Sequence, residues 1–324
     1  MTQEVMKASK VTKYFTSHQS IWKRIKKVPP FQVKAVDGVD LDILEGETIG
    51  LVGESGCGKS TLGRCLVGLY ELTSGEIQIF DQNVSRSRTL EQRRSVQMIF
   101  QDPFSSLNPQ MTIHSMLKEV LLFHKLESKE TVDNRIKELL NLVGLPQSAL
   151  HSHPRQFSGG QRQRIGIARA LALNPKILIA DEAVSALDVS VQATIVNLLL
   201  DLKRDLGLTI LFISHNIAVV RQMSDRIAVM YLGKIVEIGP TEEVFTNPQH
   251  PYTKMLLASI PQMHAGSKLS TQFAGMEIDS SSSAQGCKFK NRCSFAMESC
   301  GVKDPELLSI GGGSHKAACL LYQG

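Results

Sequence analysis

The stretch Gly53-Glu54-Ser55-Gly56-Cys57-Gly58-Lys59-Ser60 decides the fold of this chain. It matches the phosphate-binding pattern G-x-x-x-x-G-K-S/T at every fixed position. The glycines let backbone N–H groups surround a phosphate. Lys59 can reach the β- and γ-phosphates of a nucleotide, and the Ser60 hydroxyl can bind Mg²⁺. The stretch therefore predicts a site for a nucleoside triphosphate and its metal ion.

The residues on either side of this loop fit the same prediction. Thr48–Val52 is an apolar run that predicts a buried strand, and Thr61–Leu69 predicts a helix with leucines on one face. A phosphate held by the loop would lie at the N-terminus of this helix, where the dipole and free N–H groups favour anions. Thr61, which directly follows the loop, is expected to belong to the same site.

Length and composition are those of an ordinary globular chain. It has 324 residues, of which 42% are hydrophobic and 21% charged, with a net charge of +5. This length is enough for one large α/β domain and a smaller appendage. No apolar run is long enough to span a bilayer, and Met1–Val5 lacks the apolar core of a secretory signal. We therefore expect a cytoplasmic protein.

One basic cluster, between Lys23 and Lys27 beside Trp22, stands in a polar insert over 17–33. Such a cluster could contact a membrane surface or an RNA. Short charge runs are usually solvated loops, and we prefer that interpretation here. The net charge is small and dispersed, so no nucleic-acid partner is expected.

A second candidate site follows the apolar strand predicted over Ile177–Ala180. Two adjacent carboxylates, Asp181 and Glu182, come directly after it. Ligands of parallel sheets bind at the carboxyl ends of the strands. Asp181 is therefore placed to hold Mg²⁺, and Glu182 is free to orient and deprotonate an attacking water. The structural alternative, a solvated acidic turn, is disfavoured by the presence of the phosphate loop.

A third element is Phe157-Ser158-Gly159-Gly160-Gln161, which opens a helical run over Arg162–Leu173. Ser158 is a good N-cap, and the glycines leave backbone N–H groups uncovered. The element predicts a second anion site at a helix start. Its structural alternative is an ordinary capped helix with a Gly-rich approach.

Together these motifs resemble those of the ABC-type ATPases over about residues 5–260. Ser158-Gly159-Gly160-Gln161 is similar to the family's signature motif, and the remaining motifs stand in the family's order. Gln101 resembles the Q-loop glutamine, and Ser185-Ala186-Leu187-Asp188 resembles the D-loop. His215 resembles the switch histidine. Phe15 stands where the family stacks an aromatic ring on adenine, and Tyr14 is the other candidate for this position.

The resemblance implies a fold and a mechanism. The fold is a P-loop NTPase (RecA-like) α/β core with an antiparallel β subdomain and an α-helical subdomain. Two such domains pair head to tail, so that ATP on one phosphate loop is capped by the Ser158–Gly160 segment of the other. Glu182 would be the base, His215 would stabilise the transition state, and Gln101 would sense the γ-phosphate and relay to a membrane partner.

The predicted site is therefore large. The residues expected to contact ATP are Phe15, Gly53, Glu54, Ser55, Gly56, Cys57, Gly58, Lys59, Ser60, Thr61, Ser158, Gly159, Gly160, Gln161, Asp181 and Asp188. The residues expected to hold Mg²⁺ are Ser60, Gln101 and Asp181.

Three further stretches resemble the dipeptide/oligopeptide/nickel importer subfamily: Gln101–Pro109, Asp181–Ser190 and His250–Thr253 ahead of a cysteine-containing tail. This resemblance implies a peripheral ATPase on the cytoplasmic face of the membrane that powers peptide import. Its partners would be a second, related ATPase subunit, two membrane permeases and, indirectly, an external peptide-binding protein. Nickel, metal chelates and opines stay open as cargo, and so does the choice between a homodimer and a heterodimer of ATPases.

We expect three segments along the chain. Residues 1–264 form the nucleotide-binding domain, with a helical subdomain over about 102–157 that prolines bracket. Residues 265–286 are polar and Ser-rich and predict a linker. Residues 287–324 form a small C-terminal extension.

Four of the six cysteines, Cys287, Cys293, Cys300 and Cys319, lie in this extension. Four thiolates could hold a 4Fe–4S cluster or a structural zinc ion, and the spacing lacks the C-x-x-C pairs common in zinc sites. Members of the resembled subfamily with such a tail are associated with a 4Fe–4S cluster, so iron–sulfur is preferred over zinc. Four unligated thiols are the third alternative.

Two other classes of function fit less of the sequence. A soluble ABC ATPase that acts on nucleic acid or ribosomes tends to carry long coiled coils or two ATPase domains, whereas this chain shows one phosphate loop and no sustained heptads. A small-molecule phosphotransferase would leave Ser158–Gln161 and His215 without a role.

Overall fold

The computed structural model describes residues 3–16, 32–102, 106–259 and 285–323. The basic cluster between Lys23 and Lys27 and residues 265–284 of the predicted linker lie outside these ranges, so the interpretations given for them stay predictions. Residues 103–105, which follow the Q-loop glutamine, are likewise not described.

Strands and helices alternate through most of the described chain. The strands are β1 (Glu4–Thr16), β2 (Gln32–Leu44), β3 (Thr48–Val52), β4 (Ser74–Ile79), β5 (Gln82–Asn83), β6 (Val96–Ile99), β7 (Ile177–Asp181), β8 (Thr209–Ile213), β9 (Arg226–Tyr231), β10 (Lys234–Pro240), β11 (Leu308–Ser309) and β12 (Lys316–Ala317). The α-helices are α1 (Lys59–Val67), α2 (Leu90–Ser95), α3 (Ile113–Phe123), α4 (Val132–Leu142), α5 (Gly159–Leu171), α6 (Val189–Leu206), α7 (Ile217–Met223), α8 (Thr241–Thr246) and α9 (Pro251–Ala258).

The larger sheet has eight strands in the order β11-β12-β10-β9-β3-β8-β7-β6. Neighbouring strands from β9 to β6 are parallel, with Leu51 opposite Ile213 and Ile179 opposite Leu211. The predicted parallel core is thus confirmed. Because the carboxyl ends of parallel strands share one edge, the loop after β3 and the carboxylates after β7 lie at the same edge of the sheet.

Both faces of this sheet are covered, which explains the uninterrupted apolar runs of its strands. Successive side chains alternate between two hydrophobic cores: Leu178 and Phe212 belong to one, and Ile179 and Leu211 to the other. The first core also contains the buried residues of α3 to α9, whereas the second joins residues of both sheets to Leu62 and Leu66 of α1.

The smaller sheet is antiparallel, in the order β2-β1-β4-β5, and confirms the predicted antiparallel β subdomain. The sequence of residues 8–45 predicts short strands around a polar insert, whereas β1 and β2 are thirteen residues each. They pair from Glu4 with Leu44 to Thr16 with Gln32, and register shifts interrupt the ladder. Such bulges break the alternation of apolar residues that would mark a long strand in the sequence.

The predicted helical insertion contains α3 and α4, followed by 3₁₀ turns at Gln147–His151 and Pro154–Gln156. Leu117 of α3 and Ile136 and Leu140 of α4 are fully buried in the first core. Nowhere in the described ranges does a helix have the length and apolarity needed to cross a membrane.

The C-terminal extension packs on the core of the domain. β12 pairs with β10 in antiparallel register, with Ala317 opposite Glu237. Nε2 of His315 lies 2.7 Å from a carboxylate oxygen of the buried Glu237. Phe289 is buried and packs against the rings of Tyr231 and Tyr252. The extension therefore shares a sheet and a core with the preceding residues, while the predicted segment boundaries stay predictions.

Candidate nucleotide site

The phosphate loop is held by the close approach of other backbone segments. β3 is buried at all five positions and leads into the loop, and α1 begins at Lys59, within the last two residues of the loop. Gly53 and Gly58 have φ angles of 153° and 109°. A Cβ atom at Gly53 would lie 2.2 Å from the carbonyl oxygen of Met230, and one at Gly58 would lie 2.0 Å from that of Ala35. Both positions therefore require glycine.

Lys59 is almost fully buried. Its ammonium donates hydrogen bonds to the carbonyl oxygens of Gly53, at 2.8 Å, and Glu54, at 2.9 Å. A buried ammonium needs such partners. Because Lys59 is the first residue of α1, its charge adds to the positive end of the helix dipole. Loop and helix together form a positively polarised site that suits phosphate.

Ser60 and Asp181 meet at the predicted metal position. The Ser60 hydroxyl donates to Oδ1 of Asp181 at 2.7 Å. Asp181 is fully buried, and its Oδ2 accepts no hydrogen bond from the described residues. Burial raises the pKa of Asp181, against the lowering effect of the bond from Ser60. A buried carboxylate oxygen without a donor, beside a hydroxyl, fits the oxygen ligands that Mg²⁺ prefers.

The three predicted catalytic side chains lie together, with Glu182 between Gln101 and His215. Nε2 of Gln101 donates to Oε2 of Glu182 at 2.9 Å, and Nδ1 of His215 lies 3.4 Å from the same oxygen. Glu182 has a φ angle of 46°, which is uncommon outside glycine. Its N–H donates to the carbonyl of Ile213 at 2.9 Å, which ties the end of β7 to the end of β8.

A cavity of about 840 Å³ opens beside the loop, a size that accommodates a nucleotide. Its walls include many of the predicted residues, namely Ser55, Gly56, Cys57, Gly58, Lys59, Ser60, Thr61, Gln101 and Glu182. Gly53, Glu54 and Asp181 are not part of the wall. Further walls, which no motif predicted, come from β2, the β9–β10 turn and the C-terminal extension, and they carry Lys34, Asp37, Lys234, Lys288 and Asp304.

The signature-like segment lies apart from this cavity. Oγ of Ser158 accepts the N–H of Gln161 at 3.3 Å, and the Gln161 side chain accepts the N–H of Ser158 at 3.0 Å, so the predicted N-cap is present at the start of α5. Both residues are exposed. Neither they nor Gly159, Gly160 and the exposed Asp188 are among the described residues that line the cavity. Their contact with nucleotide stays a prediction.

The two aromatic candidates for adenine stacking also lie outside the cavity wall. Phe15 packs edge-on against Tyr70, with ring centres 5.6 Å apart, and is 39% exposed. The Tyr14 hydroxyl donates to Asp37, and burial together with this bond raises the pKa of Tyr14 to about 12. Stacking by Phe15 therefore stays a prediction.

The four cysteines of the extension lie in one small folded segment. All four thiols are free, with Cys300 and Cys319 buried and Cys287 and Cys293 partly buried. Burial and, to a smaller extent, the neighbouring thiols raise the pKa of Cys287 to about 11. In the part of the chain that the structure describes, no group of three or more His, Cys, Asp or Glu side chains has the geometry to hold a metal ion.

Comparison with known proteins identifies the class of this site. Residues 36–185 match the ABC transporter family, and residues 236–300 match the C-terminal region of oligopeptide/dipeptide transporters. The chain is 45% identical over 327 residues to the oligopeptide transport ATP-binding protein AppF of Bacillus subtilis (strain 168), covering 99% of this chain and 98% of AppF. It is 46% identical over 301 residues to OppF of Salmonella typhimurium (strain LT2), covering 90% and 89%. The chain therefore belongs to the family of ABC transporter ATP-binding proteins, in its oligopeptide transport branch.

Solved structures agree with this assignment. A dimeric post-hydrolysis structure of the ATP-binding cassette MJ0796 bound to ADP and Pi matches with a TM-score of 0.63 and 30% identity, over 73% of this chain and 98% of the other. CbiO1 of Clostridium perfringens, part of the cbiONQ ABC transporter complex, matches with a TM-score of 0.61 and 26% identity, over 75% and 91%. The predicted P-loop NTPase fold and ATPase class are thereby confirmed.

Proposed function

We propose that this chain hydrolyses ATP at an interface shared with a second ATPase subunit and so powers the import of di- and oligopeptides. The observation that carries the proposal is the separation, within one chain, of the phosphate loop from the exposed N-terminus of α5. Each is suited to bind phosphate, yet only the loop lines the cavity. Head-to-tail pairing would place Ser158–Gln161 of one subunit over Lys59 of the other.

The contacts support a role for each side chain in this site. Lys59 and the loop N–H groups hold the β- and γ-phosphates. Glu182 accepts a proton from the attacking water. Gln101 orients the Glu182 carboxylate through the hydrogen bond between the two side chains. His215 donates a hydrogen bond to the γ-phosphate, where negative charge develops.

The metal position completes this assignment. Ser60 and Asp181 would hold Mg²⁺, with Gln101 as the third predicted ligand. When bound, the ion would supply positive charge that offsets the negative charge of the phosphates.

Cargo, partners and location are inferred from the relatives. AppF and OppF are oligopeptide transport proteins, and the match to the oligopeptide/dipeptide C-terminal region favours peptide over nickel, metal chelates and opines. We infer a peripheral subunit on the cytoplasmic face of the membrane. It would work with a related or identical ATPase subunit and two permeases, and indirectly with an external binding protein.

Uptake by a strain that lacks the gene tests this proposal. This strain is expected to lose uptake of a labelled tripeptide and to keep normal uptake of ⁶³Ni²⁺. The wild-type gene should restore the tripeptide uptake. Glu182→Gln should fail to restore uptake, whereas Glu76→Gln, a control at an exposed position on β4, should succeed. Lost nickel uptake with intact peptide uptake would contradict the peptide assignment.

For the four cysteines we propose a 4Fe–4S cluster, with zinc as the less favoured alternative. The support is the match of this region to the C-terminal region of oligopeptide/dipeptide transporters and the presence of four free thiols in one small folded segment, although the described geometry does not bring three of them together around one metal position. Iron and sulfide analysis of anaerobically purified full-length protein tests it. About four irons and four sulfides per chain are expected. Their absence, without charge-transfer absorbance, would refute it.

A further inference from the structure

Glu54, the second residue of the phosphate loop, is bound to the C-terminal extension. Its carboxylate oxygens accept hydrogen bonds from Nη1 and Nη2 of Arg292 at 2.7 and 2.8 Å. Glu54 does not line the cavity, so this carboxylate faces the extension instead of the nucleotide. Paired charge-assisted bonds of this kind are among the strongest side-chain contacts.

The backbone of Glu54 is held as well. Its N–H donates to the hydroxyl of the buried Tyr252 at 2.9 Å. Its carbonyl accepts the ammonium of Lys59 at 2.9 Å. One loop residue therefore joins the ammonium that is aimed at the phosphates to two groups of the C-terminal part of the chain, Tyr252 and Arg292.

Arg292 is itself fixed in place. Its guanidinium lies 5.9 Å from the ring centres of Tyr231 and Phe289, and Nη2 lies 3.6 Å from the sulfur of Met255. The side chain is 13% exposed, and its hydrogen bond to Glu54 is the main cause of its raised pKa. Exposed ion pairs contribute little, but this arginine is partly buried and lies against two aromatic rings.

The extension makes a second contact with the cavity wall. The ammonium of Lys288 lies 2.8 Å from the carboxylate of Asp37 and donates to the carbonyl of Leu232 at 2.7 Å. The next residue, Gly233, donates its N–H to the carbonyl of Cys57 in the phosphate loop at 2.8 Å. The extension thus supports the loop at two separate points.

We propose that the C-terminal extension is part of the nucleotide site and that Arg292 is a positioning residue of the phosphate loop, acting through Glu54 on the carbonyl that holds Lys59. The inference rests on the proposed function, since it concerns ATP bound at this loop. Without Arg292, the loop is ordered only when ATP binds. The free-energy cost of this ordering then reduces the affinity for ATP. Once bound, the phosphates hold the loop, so turnover at saturation changes little.

The variant Arg292→Met keeps most of the length of the side chain and its packing against the two rings and removes the forked donor. For the purified full chain, the Kd for MgATP and the KM for hydrolysis should rise about tenfold, with kcat within about twofold of wild type. A Kd and KM within about twofold of wild type would overturn the proposal. So would a fall in kcat with unchanged Kd, because that pattern reports a loss of folded protein and not a displaced loop.

A double-mutant cycle tests whether the two residues act as a unit. Glu54→Gln should raise the Kd similarly, and Glu54→Gln with Arg292→Met should raise it no further than the stronger single change. A Kd of the double variant that rises by the product of the two single fold-changes would overturn the proposal. Arg221→Met, the matched control, breaks another forked pair, with Glu242 at 3.1 and 2.7 Å, and should leave Kd unchanged.

Two further measurements keep the test decisive. Should Arg292→Met fail to fold, Arg292→Lys, which retains the charge without the fork, is expected to show a smaller rise in Kd, and a wild-type Kd there would overturn the proposal. Failure of the wild-type chain itself to bind MgATP would refute the proposed function, a result distinct from equal Kd values in wild type and variants.

Discussion

Gln101 donates its side-chain amide to the carboxylate of Glu182 across 2.9 Å, although 81 residues separate them in the chain. The residue expected to sense the γ-phosphate is therefore bound to the residue expected to activate water. A change at the phosphate that moves Gln101 would free or reorient the base in the same step. This contact makes Glu182 the first residue to test.

Glu182→Gln should retain ATP binding, favour the closed pair of ATPase domains and lower turnover by about a hundredfold or more. The amide keeps the size and hydrogen bonding of the side chain but accepts no proton. Phosphate release and the Kd of a fluorescent ATP analogue measure the two effects. Unchanged hydrolysis would refute the assigned base, and Glu76→Gln should behave as wild type.

Asp181→Asn should remove most Mg²⁺-dependent hydrolysis, on the order of a hundredfold, because the buried oxygen without a donor is lost as a ligand. The affinity for ATP without Mg²⁺ should change little. Since burial raises the pKa of Asp181, removing its charge should leave Tm unchanged or higher. Titration of activity with Mg²⁺ and thermal melts check both statements. Asp201→Asn, on the exposed face of α6, is the control, and normal Mg²⁺ dependence of Asp181→Asn would contradict the assignment.

Ser158→Arg should block pairing of the ATPase domains without weakening ATP binding by the single chain, because Ser158 is exposed and outside the cavity. The change is best made together with Glu182→Gln, in which MgATP should favour the pair. Size-exclusion chromatography with and without MgATP reports the pairing.

Ser148→Arg is the matched control, since it places the same charge on another exposed serine of the helical region. It should leave MgATP-dependent pairing intact. Equal pairing in the Ser158→Arg and Ser148→Arg proteins would contradict a role for α5 at the interface.

Because of His250, the free energy of unfolding should decrease as the pH is lowered from about 6.5 to about 4. Burial lowers the pKa of this side chain to about 4, and its Nδ1 accepts the N–H of Tyr252 at 3.1 Å. The unfolded chain binds a proton near pH 6.5 and the folded chain does not, so acid favours unfolding across this window by up to roughly 3 kcal/mol.

His250→Asn keeps an acceptor at the cap of α9 but does not titrate. Its Tm should fall less than that of wild type between pH 7 and pH 4.5, whereas His151→Asn, at an exposed position, should follow the wild-type curve. Parallel curves for His250→Asn and wild type would contradict the prediction.

Local sequence predicts the strands and the motif residues well. β3 has the predicted bounds, because it is a continuous, buried run between turn residues. α5 begins at Gly159, three residues before the predicted start at Arg162, because the Ser158 cap already satisfies the first N–H groups. Gln101, Glu182 and His215 lie close together because they follow β6, β7 and β8, parallel strands whose carboxyl ends share one edge of the sheet.

Contacts between distant segments could not be predicted in the same way. Arg292 lies 238 residues after Glu54, in a tail whose only sequence signal was its cysteines. Neither a period nor a motif marks such a pair, because glutamate and arginine are mostly found at the solvated surface. The two-residue strands β11 and β12 are too short to show alternation.

The pairing of β12 with β10 has a consequence for biosynthesis. β10 is translated more than seventy residues before β12, so its outer backbone groups stay open while the nascent chain grows. An open strand edge is a template for pairing with another molecule. Early termination before residue 308 would leave that edge permanently uncovered and expose truncated chains to aggregation. β12 therefore protects the protein from self-association through this edge only after synthesis has passed residue 317.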